Sequence, residues 1–260
     1  MLALGFFVAW RIRKSHARDD ETLISLSNYE PISTAPTVSA ILTLRSETMR
    51  LWLLVWRASS ESSLSRGTIP AGKEILTRRV VLDKLEYLDL RRELTDKERD
   101  LHLLPDGGWS PESVLENIFR AAELEALQYA CGAINRLSPI EDFDRIQPAD
   151  IEQIRNTDKN VEWHPRETFD IRRESEMAAA FYLRCLGEQI KRGIVQKDLE
   201  EEESKILREA TAHAGDHNAD LLIGTKIISE VEDHRLNLAA GQSYLRFTAL
   251  QRALSIIENK

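Results

Sequence analysis

Six consecutive residues, Leu51–Trp56 (LWLLVW), limit what this chain can become. A helix through them is apolar on every face, so other elements must surround it on all sides. The reading is therefore a central helix over Glu47–Ala58, with Ser46 as its N-cap. Trp52 and Trp56, at i and i+4, belong to its core packing.

Helix signals recur on either side of a Ser-rich stretch, Ser59–Gly67, that reads as a loop. A second helix is expected from about Ala71 to Leu90, with Ile75, Val81, Leu82, Leu85 and Leu88 inward. Thr95-Asp96-Lys97-Glu98 reads as a capping box, and Pro105-Asp106-Gly107-Gly108 as a turn. Ser110-Pro111-Glu112 opens the clearest helix, with N-cap serine, N1 proline and a first-turn acid. Its apolar positions, among them Leu115, Phe119, Tyr129, Ile134 and Leu137, keep a 3–4 spacing as far as Ser138-Pro139.

A polar connection, Glu141–Phe169, follows, with a short helix near Ala149–Arg155. Four further helices are expected. Arg173–Arg192 buries Met177, Phe181, Cys185, Leu186 and Ile190 and is closed by Gly193 at C′. The others run from Asp198 to about Ala212, from Asn218 to Ala240 with Gly241 as the stop, and from Tyr244 to Glu258. No period-two stretch argues a sheet and no fixed repeat argues a solenoid. The fold class is all-α: an irregular bundle of about seven to nine helices in one domain over residues 36–260.

The N-terminus has a different composition. Leu2–Trp10 carries no charge, and Arg11, Arg13, Lys14 and Arg18 follow at once. A secretory signal has its charges before the apolar run. The opposite order suits an anchor whose following residues stay in the cytoplasm. Nine helical residues rise roughly 14 Å, about half of a hydrocarbon core. Residues 1–18 therefore read as an interfacial segment or as part of a longer anchor, and 19–35 as a linker. The alternative is an ordinary packed N-terminal helix.

With 43 acids against 35 Lys and Arg, the chain is at −8, which argues against nucleic acid as its main partner. Protein is the expected partner, with membrane contact through residues 1–18. Cys131 and Cys185, both mid-helix, read as buried, inert thiols. No cofactor is expected, because neither a phosphate-cradling loop nor a nucleophile elbow occurs. His213 and His217, with Glu209 before them, are weak metal candidates, because Gly215 breaks the helix they would need. Arg120 and Glu123 suit a partly buried ion pair of structural character.

The order of these elements resembles the bacterial family called domain of unknown function 4272. The similarity runs from Leu44-Arg45-Ser46-Glu47 through Glu93–Glu98 and Phe119-Arg120 to Tyr129-Ala130-Cys131-Gly132 and Tyr244-x-Arg246-x-x-Ala249-Leu250. Ala122 and Leu245 stand where the family tends to carry acids. The resemblance implies a helical fold and makes Arg120, Tyr244 and Arg246 candidate binding residues, without implying a reaction. The sequence thus reads as a non-catalytic helical interaction module beside a membrane. The alternative is a hydrolase-like enzyme, metal-dependent through His213 and His217, with its site in a helix-lined cleft.

Overall fold

The computed structural model describes residues 36–68, 77–139, 163–195, 222–223 and 225–258. The described residues are mostly helical. Their elements are α1 (Val38–Ser65), α2 (Arg78–Tyr87), α3 (Asp96–Leu103), α4 (Pro111–Phe119), α5 (Ala121–Ala130), α6 (Thr168–Lys191) and α7 (Asp233–Ile257). A two-residue hairpin, β1 (Leu222–Ile223) with β2 (Lys226–Ile227), and a 3-10 turn (Ile228–Glu230) precede α7. With α4 and α5 counted as one interrupted rod, the described helices are fewer than the seven to nine expected. The expected helices over 149–155 and 198–212 lie outside the described residues, as do residues 1–35. No described helix is long and apolar enough to cross a membrane.

The chain forms two compact units. The first holds the described residues of Pro36–Leu137, Ile146–Arg166 and Ser255–Lys260; the second holds those of Ser138–Arg145 and Glu167–Leu254.

In the first unit α1 packs mainly against α4 and α5 and also against α2. Leu51–Trp56 is buried throughout, Trp52 and Trp56 included. The helix is longer than expected at both ends. Thr37 is its N-cap, accepting a bond from the Ala40 amide at 3.1 Å, and Ser46 lies within it. The serine stretch stays helical because its hydroxyls bond back into the helix: Ser63 to the Ser59 carbonyl and Ser65 to that of Ser62.

The capping box at Thr95–Glu98 and the Ser110-Pro111 helix start both form as expected. The long helix that Ser110-Pro111 was expected to open does not run through to Leu137. Its backbone breaks at Arg120, where ψ is 1°, and the register turns with it. All ten residues of α5 are buried, while Leu115, expected inward, is 55% exposed and Phe119 faces partly outward.

α5 ends at Ala130, short of Leu137, because residues 163–166 lie across its end. Arg166 donates its amide to the Ala130 carbonyl at 2.9 Å and a guanidinium N–H to that of Ile134 at 2.8 Å. The same guanidinium sits 4.4 Å above the Tyr129 ring. Gly132, at φ +77°, makes room: a Cβ there would stand 2.1 Å from the His164 carbonyl oxygen.

In the second unit α6 and α7 run antiparallel. Gln189 meets Asn237 at 2.6 Å, the Tyr182 and Tyr244 rings lie 5.1 Å apart, and Gln251 meets Ser175 at 2.7 Å. These contacts recur every seven residues on both helices, the interval of a coiled-coil seam. The 4–3 stripe Ile171, Ser175, Ala178, Tyr182, Cys185, Gln189 is buried on α6, with Tyr182 half-buried. Gly193 closes α6 at φ +69°, with the Ile194 amide on the Gln189 carbonyl, as its sequence position foretold. Met177, expected inward, lies off the stripe and is 50% exposed.

The expected helix from Asn218 to Ala240 is corrected to the hairpin, the 3-10 turn and the start of α7. Arg192 explains where helix begins. Its guanidinium binds the carbonyls of Ile228, Ser229 and Val231, in the turn that precedes α7. α7 then runs through Gly241 without stopping, and Tyr244 lies in its interior. One exposed glycine costs a helix about 1 kcal/mol, less than the burial that α7 secures on both sides of it.

Two glycine changes test this. Gly241→Ala meets nothing within 4 Å and should raise unfolding free energy by about 0.5–1 kcal/mol. Gly132→Ala, strained at positive φ and overlapping a carbonyl, should lower it by about 2–4 kcal/mol. Urea titration of both variants checks the pair.

Candidate functional site

The sequence places charges on the core helix of the first unit directly after its apolar run. Arg57 and Glu61 stand at i and i+4 on α1, and both are buried. A buried guanidinium must find partners for its donors or lose more in desolvation than any packing returns. Arg57 forms an ion pair with Glu61 at 2.6 Å and donates to the Pro105 carbonyl at 3.3 Å and to the Asp106 carboxylate. Asp106 also accepts the Arg78 amide at 2.8 Å, so it caps α2, where Thr77 makes no side-chain cap. Desolvation works to raise the Asp106 carboxyl, but the Arg78 amide and the Arg57 guanidinium outweigh it and hold it below its ordinary range.

Trp109 closes the same corner. Its amide points at Glu61 at 3.4 Å and its indole N–H donates to the Leu101 carbonyl at 2.8 Å. Beside it lies His102, buried, with ring centroids 6.4 Å apart. Neither imidazole nitrogen has a hydrogen-bond partner among the described residues. Burial pushes its pKa down to about 4, with Glu98 acting to raise it and Arg57 to lower it.

A second charged group lies along the same helices. Arg120 bonds Glu123 at 2.7 and 3.2 Å and approaches Glu98 at 3.8 Å. Arg50 reaches Glu98 from α1 at 3.6 Å and the Glu93 carbonyl at 2.6 Å. Although desolvation acts the other way, these carboxylates leave the Arg120 pKa raised. Arg120 at the break between α4 and α5 is thus tied into the fold, as its spacing from Glu123 suggested.

The other sequence candidates lie elsewhere in the chain. Arg120 belongs to the first unit, Tyr244 and Arg246 to the second. Two residues apart on α7, these two face differently. Tyr244 is 46% exposed against Tyr182, while Arg246 is buried and donates to the Ser138 carbonyl at 2.9 Å. His213 and His217 lie outside the described residues. Among the described residues no group of three His, Cys, Asp or Glu could hold a metal ion. Cys131 is buried, and desolvation pushes its thiol up to about 12. Cys185 is buried too.

A cleft of about 530 Å³ opens at the start of α2, lined by Arg78, Arg79 and Arg91 against Asp83 and Asp106. Its charges nearly balance, and Arg91 already pairs with Glu86 at 2.8 Å. Sequence reasoning missed Arg57, Glu61, Asp106 and His102. The i,i+4 pair directly after an all-apolar run was the available signal. Nothing in the spacing pointed from Arg57 to Asp106 in the following turn.

Comparison with family models, with curated proteins and with solved structures finds no match.

Removing one partner of a buried ion pair strands the other. Arg57→Met should therefore cost about 3–5 kcal/mol. The double change Arg57→Met with Glu61→Leu should recover much of that loss, because both charges leave together. Chemical denaturation of the two single variants and the double variant reads the coupling directly.

Proposed function

We propose that this chain is a non-catalytic helical interaction module that works next to a membrane, held there by residues 1–18. One observation carries the module half. Among the described residues the buried charges turn inward onto one another, whereas apolar side chains at helical spacing face outward. Leu115 and Phe119 lie on one face of α4, and Val38 and Leu42 on one face of α1. Phe169, Met177 and Tyr244 are exposed in the second unit. Apolar groups left in water at this spacing suit a partner's helix or apolar groove. Two described groups of nucleophilic or proton-transfer type, Cys131 and His102, are buried, with the thiol raised and the imidazole lowered.

The membrane half rests on the uncharged run Leu2–Trp10 and the basic residues after it. Apolar insertion and attraction to anionic headgroups would act together there. Membership of the domain of unknown function 4272 family belongs to the same proposal and supports a helical module without a reaction.

Two measurements test the reading. The full chain should float with vesicles of phosphatidylcholine and phosphatidylserine, and a chain lacking residues 1–18 should not. Full-length protein that stays in the soluble fraction overturns the membrane half. Leu115→Ser with Phe119→Ser should leave stability within about 0.5 kcal/mol, as surface changes do. A loss above about 2 kcal/mol would mean that this face is covered from within, which contradicts a docking role.

A further inference from the structure

We propose that the corner formed by the middle of α1, α3 and the 104–109 turn is an acid-responsive latch, in which a proton on the His102 imidazole opens the contacts made by Trp109 and Asp106. His102 is buried at the point where these elements meet, and neither of its ring nitrogens is hydrogen-bonded among the described residues. A buried neutral imidazole with no acceptor on it gains no hydrogen bond inside the fold when it takes a proton.

The charged groups around it come from every wall of the corner. Glu98 stands one turn earlier on α3, and its carboxylate already faces Arg50 and Arg120. Arg57, from α1, acts against a second cation, and its own carboxylates are Glu61 and Asp106. A proton on His102 therefore has one carboxylate to approach, already shared by two arginines, and one guanidinium to repel it. The relief is movement toward water.

What would move is specific. Trp109 holds α3 through the Leu101 carbonyl and α1 through Glu61. The turn before it carries Asp106, the cap of α2. Opening this corner detaches α3 from α1 and removes the cap from α2. Because the imidazole pKa is lowered in the closed corner, the closed form is favoured above the unfolded value of 6.5. That advantage is lost as pH falls from there toward about 4. Between pH 7 and pH 5 the opening equilibrium should grow about twentyfold.

Hydrogen exchange on the full chain, corrected for intrinsic rates, reads this at single amides. The α3 amides near Leu101 and the amides of Arg78 and Trp109 should lose about twentyfold in protection from pH 7 to pH 5. Amides of α6 should hold theirs. His102→Phe should abolish the pH dependence, and His102→Gln, which keeps a polar side chain without a titration near neutrality, should do the same if the phenylalanine does not fold. The latch is overturned if either folded variant keeps the wild-type pH dependence, or if protection falls equally in α3 and α6.

Discussion

A guanidinium buried in the middle of a helical core is the constraint on which the first unit depends. Arg57 follows directly on the most apolar run in the chain, and the burial that Leu51–Trp56 demands takes its charge out of water. The cost of that is met only by fixed partners, which is why Glu61 lies one turn on and Asp106 is brought in from a distant turn. Each partner then has a second duty. Asp106 starts α2, and Glu61 faces the Trp109 amide. Positions of α2, α3 and the turn between α3 and α4 thus follow from satisfying one side chain on α1. Such a network contributes less to net stability than to excluding other arrangements, since every alternative packing leaves a charge stranded.

The second unit solves its problem by repetition instead. α6 and α7 meet every seven residues through Gln189–Asn237, Tyr182–Tyr244 and Ser175–Gln251, so two hydrogen bonds and one ring pair mark the register. Arg192 fastens the far end. It bonds Glu188 on its own helix and Asp233 at the start of α7, besides three carbonyls of the preceding turn. The Glu188 carboxyl is drawn below its ordinary range by that guanidinium against a desolvation that acts to raise it. In both units an arginine decides where helices start.

Local rules made part of this legible. The all-apolar run, the capping box at Thr95, the Ser110-Pro111 start and the Gly193 stop depend on neighbours within a turn, and each stands in the structure. Features that depend on distant atoms were not readable. Residues 59–65 stay helical with Ser60, Glu61 and Ser62 buried in the fold, and the long helix breaks at Arg120 where Glu98 and Glu123 hold that side chain. α5 stops because Arg166 arrives from a remote segment, and the helix expected from Asn218 begins only after a turn whose carbonyls Arg192 binds. The same limit applied to the site. Spacing exposed the Arg120–Glu123 pair, but nothing local marked His102 or Asp106.

The claim that the Arg57 cluster organises the first unit is tested most directly at its outermost carboxylate. Asp106 is the member that reaches solvent, so its ionisation can be followed by carbon-13 NMR while the protein stays folded. The account predicts a midpoint clearly below the ordinary 3.8, returning toward it when Arg57 is replaced by methionine in protein that still folds. A midpoint at the ordinary value in the wild-type chain, or one that Arg57→Met leaves unchanged, would contradict it.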